Sequence, residues 1–318
     1  MKKKALILGV TGQDGSFLAE LLLSKGYQVH GLVRRSSTGN TVNIEHILDK
    51  IQVQSGDLSD ATSLYRIIKD SRPDEIYNEA DQDHAGWSYH AVDYASDITG
   101  AAVGRILEII RQINGKIRFF QPLTSNMFGK TNICPQNEET PLRPQSPYAA
   151  AKVYAWMLSR YYRDVHGMFA ACAILYNHES SRRTDSYVSR KIVKAAVNIS
   201  KGLQKSLVLG EVDTPIDFGF AGDYVAAIWQ IMQLPRADDF VIGTGEAHTV
   251  REFTEETFRL VGLDAGKYVT FDKKLVRPGK TSPLIADISK AKKAFGFTPA
   301  VRFKALVRLL VEDELNNE

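Results

Sequence analysis

A strand-like run, Lys4 to Val10, leads into Gly9-Val10-Thr11-Gly12-Gln13-Asp14-Gly15. A helical pattern follows, with Phe17, Leu18, Leu21 and Leu22 on one face and Gly26 at its end. No other feature restricts the fold as much. Glycines spaced three apart between a strand and a helix permit a tight turn. They also let backbone approach a pyrophosphate, whose charge is favoured at a helix N-terminus where N–H groups lack partners. A glycine turn that only packs helix on strand is the alternative, but the N-terminal position and the strand–turn–helix context favour a dinucleotide. Gly9, Thr11, Gly12, Gln13, Asp14 and Gly15 are therefore candidate cofactor contacts.

The pattern continues. Strand candidates lie at Gln28 to Val33, Ile51 to Asp57, Asp74 to Tyr77, Arg118 to Leu123 and Phe169 to Tyr176. Between Tyr77 and Arg118, Val103, Ile106, Leu107, Ile110 and Ile113 recur at helical spacing. Strands alternating with crossover-length helices imply βαβ units, so the expected fold is α/β, a Rossmann-type doubly wound parallel sheet. Residues 1–176 are expected to form the dinucleotide-binding domain. Residues 177–318 are expected to form a smaller, partly interleaved substrate lobe, with part of about 212–245 returning to the first domain. In that lobe Thr249-Val250-Arg251-Glu252 reads as a capping box opening a helix toward Leu260. A last helix carries Phe303, Leu306, Val307, Leu310 and Val311 on one face.

Composition excludes several classes. Forty basic against 37 acidic residues give a formal charge of +3, too little to suggest nucleic acid as partner. Two cysteines, Cys134 and Cys172, exclude a disulfide framework. Apolar runs stay far below the roughly 20 residues that span a bilayer. Lys2, Lys3 and Lys4 precede an apolar stretch that Gly9 cuts short of a signal segment. A cytoplasmic protein without a membrane partner is expected.

The end of the second strand bears on the cofactor. An acidic residue there would bind ribose hydroxyls, but this chain has Arg34-Arg35-Ser36-Ser37. Guanidinium and hydroxyl groups suit a 2′-phosphate, which favours NADP over NAD. Asp57, after the third strand, either accepts from the adenine amino group or caps its own turn.

Ser146-Pro147-Tyr148-Ala149-Ala150-Ala151-Lys152 places a phenol and an ammonium four apart. Pro147 suits a first helical turn, so both side chains share a face. A Lys beside the phenol is expected to lower its pKa from about 10, and the phenolate can take a hydroxyl proton while hydride leaves for a nicotinamide. Thr124, at the end of the fifth strand, would hydrogen-bond the same hydroxyl.

With these pieces together the chain resembles the extended short-chain dehydrogenases/reductases, and within them the GDP-mannose 4,6-dehydratase family. The motifs are Gly9 to Gly15, Val33-Arg34-Arg35-Ser36-Ser37, Gly56-Asp57-Leu58, Pro73 to Asn78, Ser146 to Lys152 and Asn177-His178-Glu179-Ser180 with Arg182-Arg183. Arg190-Lys191, Asp223-Tyr224-Val225 and Arg277-Pro278 extend the likeness over nearly the whole chain. The resemblance implies that Arg34 to Ser37 hold the adenosine phosphate. It implies further cofactor contacts from Asp57, Leu58, Ala80, Gln82, Tyr94, Tyr148, Lys152, His178 and Arg183. Asp83, His84, Ser125, Asn177, Lys191 and Arg277 would belong to the nucleotide-sugar site. A homodimer or homotetramer is implied as well. The family reaction moves hydride from sugar C4 to NADP, removes the acidified C5 proton with a glutamate as water leaves from C6, and returns the hydride to C6.

The chain departs from that pattern where the chemistry falls. The family's threonine–x–glutamate is here Thr124-Ser125-Asn126, and an amide cannot take the C5 proton. The aromatic after it is Phe128. The family run N-L-A-A-Q-S-H is Asn78-Glu79-Ala80-Asp81-Gln82-Asp83-His84, which adds three carboxylates. Ile216 replaces an arginine and Lys280 a glutamate. No metal site is expected: Asp81, Asp83 and His84 are thin as a ligand set. The expectation is an NADP enzyme that oxidises a GDP-linked or other nucleotide hexose at C4, with Thr124, Asn126, Tyr148 and Lys152 at the reacting centre. Elimination, C4 epimerisation and plain ketone/alcohol interconversion stay open. So does a retired paralogue that only binds nucleotide or a partner subunit.

Overall fold

The computed structural model describes residues 2–37, 39–275 and 282–316. Its strands are β1 (Lys4–Leu8), β2 (Gln28–Val33), β3 (Gln52–Ser55), β4 (Glu75–Asn78), β5 (Arg118–Thr124), β6 (Ala170–Leu175), β7 (Asn177–Glu179), β8 (Leu207–Leu209), β9 (Phe218–Phe220), β10 (Asp239–Ile242) and β11 (Val269–Phe271). The longer α-helices are α1 (Gln13–Ser24), α2 (Ala61–Ser71), α3 (Ala102–Asn114), α4 (Pro147–His166), α5 (Val188–Ser200), α6 (Ala221–Gln233), α7 (Val250–Leu260) and α8 (Phe303–Asn316).

Seven strands make one sheet in the order β10-β6-β5-β4-β1-β2-β3. Every pairing is parallel; Ala5, for example, stands opposite Val29 on one side and Glu75 on the other. The chain winds outward from β1 through β2 to β3, then returns to β4 on the far side of β1. The carboxyl ends of β1 and β4 are thus the switch point where such sheets bind ligands. Side chains alternate across the sheet with period two. Ala5, Ile7 and Val29 face a cluster with Leu18 and Leu22 of α1 and Tyr224, Ile228 and Ile231 of α6. Leu6, Leu8, Ile76 and Phe119 face Leu64 and Ile67 of α2, Ile106 and Ile110 of α3, and Ala155 and Tyr162 of α4.

Beyond β7 the chain does two jobs. α6 packs on α1, and β10 extends the sheet beside β6. The remainder gathers a separate core of Ile192, Phe218, Phe253, Phe303 and Leu306. There the capping box forms as expected: Thr249 Oγ1 accepts from the Glu252 N–H at 3.0 Å, and Glu252 Oε2 accepts from the Thr249 N–H at 2.7 Å. Among the described residues no helix is long and apolar enough to cross a membrane.

Candidate active site

The turn after β1 needs its glycines. Gly9 sits at φ +83°, and a Cβ there would lie 2.5 Å from the Glu79 carbonyl oxygen. A Cβ on Gly15 would run into the Gly9 carbonyl. Gly12 is the N-cap of α1 and provides no side-chain cap, so the first-turn N–H groups point into a cradle walled by backbone. That shape and that donor set fit a pyrophosphate. Thr11 is fixed by its carbonyl, which accepts from Asn43 Nδ2 at 3.0 Å.

At the rim, Arg34, Arg35, Ser36 and Ser37 are exposed beyond β2. Arg34 Nη1 donates to the Tyr94 hydroxyl at 2.6 Å. Asp57 Oδ1 accepts from the N–H of Ser59 at 2.9 Å and from its hydroxyl at 2.7 Å, a turn cap. Leu58 is buried, and its carbonyl accepts from Arg105 Nη1 at 3.1 Å.

A second wall comes from the segment after β6. His178 Nε2 lies 2.8 Å from Asp14 Oδ2, its Nδ1 lies 2.8 Å from the Tyr176 carbonyl, and its ring stacks on Tyr224 at 4.6 Å. Gln13 Nε2 donates to the His178 carbonyl at 3.2 Å, and Gln13 Oε1 accepts from the Ser180 hydroxyl at 2.8 Å. Arg183 Nη1 donates to the same carbonyl at 3.2 Å, and its guanidinium covers the Tyr187 ring at 3.7 Å. Burial alone would push Asp14 up and His178 down. Their mutual charge and hydrogen bond outweigh it, leaving the Asp14 carboxyl below and the His178 imidazole above their usual ranges.

Helix α4 delivers the redox pair. Ser146 Oγ accepts from the Ala149 N–H at 3.1 Å and Pro147 opens the first turn. Tyr148 and Lys152 then fall one turn apart, both buried. Lys152 Nζ lies 5.8 Å from the Tyr148 ring centre, donates to the Pro122 carbonyl at 2.6 Å, and is ion-paired with Asp81. Thr124 closes β5, its Oγ1 accepting from Asn126 Nδ2 at 3.2 Å and from the Asn126 N–H at 3.3 Å. One expectation is corrected. Burial raises the Tyr148 phenol, and Asp83 and Asp81 add to the rise; Lys152 and Thr124 act the other way without reversing it. The phenol therefore stands above its ordinary pKa instead of below it.

The segment after β4 carries the added acids. Glu79 Oε1 is sealed from solvent with no hydrogen-bond partner. Burial, then the charges of Asp14 and Asp81, push its carboxyl well above the usual carboxylate range. Ala80 is half-buried against the α2–α3 cluster. Gln82 is buried, its Nε2 donating to the His84 carbonyl at 3.1 Å. His84 Nδ1 accepts from the Trp87 N–H at 2.9 Å, capping a short helix, with its ring 5.3 Å from Tyr187. Asp83 is exposed yet close enough to act on Tyr148, Tyr187 and Arg183.

Not every candidate joins this crevice. Ser125 is buried beside Thr124, and Asn177 sits on β7 with its carbonyl 3.5 Å from the Tyr224 hydroxyl. Lys191 donates instead to the Val208 carbonyl of β8 at 2.9 Å, in the second lobe. Arg277 and Lys280 lie outside the described residues. Ile216 is held by its backbone, exchanging hydrogen bonds with His248 at 2.8 and 2.9 Å. Among the described residues no three His, Cys, Asp or Glu side chains are grouped to hold a metal. Sequence reasoning missed Tyr187, which belongs to no motif, and the pairing of Asp81 with Lys152, whose two partners lie 71 positions apart.

A backbone cradle at the switch point of a parallel sheet, with Tyr148 and Lys152 on a helix beside the end of β5, defines an extended short-chain dehydrogenase/reductase. The sequence profile of the family described as GDP-mannose 4,6 dehydratase matches residues 6–310. GDP-mannose 4,6 dehydratase 1 of Arabidopsis thaliana is 44% identical over 326 residues, covering 99% of this chain and 90% of that protein. Two solved structures share the fold. One is dTDP-glucose 4,6-dehydratase of Bacillus anthracis in complex with NAD, with a TM-score of 0.87, 21% identity, and coverage of 99% of this chain and 97% of the other. The other is RMD of Pseudomonas aeruginosa complexed with NADPH, with a TM-score of 0.83, 18% identity, and coverage of 98% and 99%. The chain belongs to the GDP-mannose 4,6-dehydratase family.

Proposed function

We propose that this chain is an NADP-dependent enzyme that oxidises a GDP-linked hexose at C4, and that Asn126 holds back the elimination step. The observation that carries the reading is the meeting of Tyr148, Lys152 and Thr124 at the end of β5, beside the glycine cradle.

Gly9, Thr11, Gly12 and Gly15 would hold the diphosphate of the dinucleotide. Arg34 to Ser37, with Tyr94 bracing Arg34, would take a 2′-phosphate, and the Asp14–His178 pair with Gln13 and Arg183 would close the cleft. The family relatives are named for GDP-mannose, and the two structures of the same fold are complexes with NAD and NADPH. The dinucleotide, when bound, would supply the hydride acceptor for C4. Tyr148, as phenolate, takes the C4 hydroxyl proton. Thr124 accepts or donates at the same oxygen and keeps the C–H bond directed. Lys152 stabilises the charge that Tyr148 carries. The C5 proton of the resulting ketone is acidic, but the Asn126 amide offers no basic lone pair for it.

A second reading, a retired nucleotide-binding paralogue, is favoured by one observation: Asp81 occupies the ammonium on which the redox chemistry depends. Incubation with NADP and GDP-mannose, followed by absorbance at 340 nm and product NMR, separates the two. C4 oxidation that is lost in Tyr148→Phe supports the enzyme. No reduced cofactor and no altered sugar, with any nucleotide hexose, would overturn it.

We further propose a homodimer built on α4. Tyr154, Met157, Tyr161 and Val165 form an exposed stripe at helical spacing, 53, 44, 48 and 62% accessible, wide enough to seed a helix-to-helix contact. The cysteines Cys134 and Cys172 are free, which suits the reducing cytoplasm where we place the enzyme.

A further inference from the structure

Lys152 has three N–H donors. One goes to the Pro122 carbonyl at 2.6 Å and another to the Asp81 carboxylate. Asp81 Oδ2 also accepts from Gln121 Nε2 at 3.3 Å, and Gln121 Oε1 in turn accepts from Asn78 Nδ2 at 2.8 Å. A chain of contacts, Asn78–Gln121–Asp81–Lys152, thus crosses the ends of β4 and β5. Its ionic members are sealed, with 3% of the Lys152 side chain and 5% of the Asp81 side chain accessible. The other oxygen of Asp81 is buried without a partner. The carboxylate is therefore held from the sheet side by Gln121, and Lys152 meets it from the helix.

An ammonium stabilises a phenolate through its net field at the phenol oxygen. A carboxylate that holds the ammonium at the sheet fixes how far its charge stands from the phenol oxygen, and that field falls with distance. We propose that Asp81 is a positioning residue of the redox site: it draws the Lys152 ammonium toward the end of β5 and so weakens the support that ammonium gives to a Tyr148 phenolate. The catalytic meaning of this rests on the function proposed above; the electrostatic effect does not.

Other charges face the same groups. Tyr148 is approached by Lys152 from its own helix, by Asp81 and Asp83 from the segment after β4, by Thr124 from β5 and by Tyr187 from the stretch before α5. Lys152 is approached by Asp81, Tyr148 and Glu79. Glu79 is pushed toward its neutral form by burial, Asp14 and Asp81. Asp81 is thus the carboxylate in contact with the ammonium, whereas Asp83, exposed to solvent, raises Tyr148 directly and not through Lys152.

The test is titration of Tyr148 by NMR in protein labelled at the tyrosine ring Cζ, from pH 7 to 11, with Tyr148→Phe identifying the resonance. Wild type is compared with Asp81→Asn, which keeps the shape, and with Asp81→Ala, which empties the position. Circular dichroism checks the fold of each, and either variant suffices. Both are expected to lower the Tyr148 midpoint by about one unit or more, a tenfold change in proton affinity. In a Lys152→Met background the same Asp81 changes should shift it much less. A midpoint unmoved within about 0.2 units would overturn the proposal. A shift equally large without Lys152 would overturn it too, since Asp81 would then act on the phenol directly. No substrate or cofactor is used, so failure of the sugar chemistry leaves the outcome readable.

Discussion

His178 and Asp14 join across 164 positions of sequence, Nε2 to Oδ2 at 2.8 Å, and so fasten the segment after β6 to the first turn of α1. The imidazole is raised and the carboxyl lowered, against burial, because each stabilises the other's charge. The signs set a pH window. The contribution of His178 is fully present below its ordinary value of about 6.5 and is lost as pH rises through its raised folded value. The contribution of Asp14 is present above about 3.9 and fades as pH falls through its lowered value. Wild-type thermal midpoints should therefore fall between pH 6 and 9, and His178→Asn should remove part of that slope. Parallel slopes in the two proteins would refute the pairing as a source of stability.

Asn126 leads to a gain-of-function prediction. A positioned general base contributes about 10²–10⁴ in rate. Asn126 is half-buried and held through Thr124, so a carboxylate there would lie beside Thr124. Asn126→Glu should raise formation of a 4-keto-6-deoxy sugar from GDP-mannose, read by NMR. A folded variant that oxidises C4 and yields none of that product would show that lack of a base is not what limits elimination.

The basic turn beyond β2 predicts a selective loss. Replacing both Arg34 and Arg35 by alanine removes charge-assisted contacts worth about 1.5–3 kcal/mol each. Calorimetry should find NADP binding weakened by about a hundredfold or more while NAD binding changes little. Equal losses for the two dinucleotides would contradict a 2′-phosphate site.

Glu79 predicts a stabilised variant. Its carboxyl is raised by burial and by Asp14 and Asp81. The folded state therefore keeps a proton that the unfolded chain releases above about 4.3, and stability is lost as pH rises from there through the raised value. Glu79→Gln should raise the thermal midpoint more at pH 8 than at pH 5, by about 2–4 °C. The same gain at both pH values would mean that ionisation of Glu79 carries no cost.

Local grammar was legible in the sequence. The glycine turn, Gln28–Val33 as a strand and Ser146-Pro147 as a helix start all follow from rules acting over a few residues. The seventh strand of the sheet was not. Asp239-Phe240-Val241-Ile242 is too short to show a period, and only its register against Cys172–Leu175 makes it a strand. Asp57 left two roles open, and the capping one could be seen only once Ser59 was placed against it. The Tyr148 shift was misjudged for a related reason. Lys152 is visible four residues away, whereas the burial and the acids that oppose it come from β4, β5 and the packing between them.

The 20 residues of α4 carry Tyr148 and Lys152 toward the sheet and Tyr154, Met157, Tyr161 and Val165 outward. One rigid rod therefore serves two purposes at once. In the dimer proposed above, the partner would brace the same helix that carries the phenol.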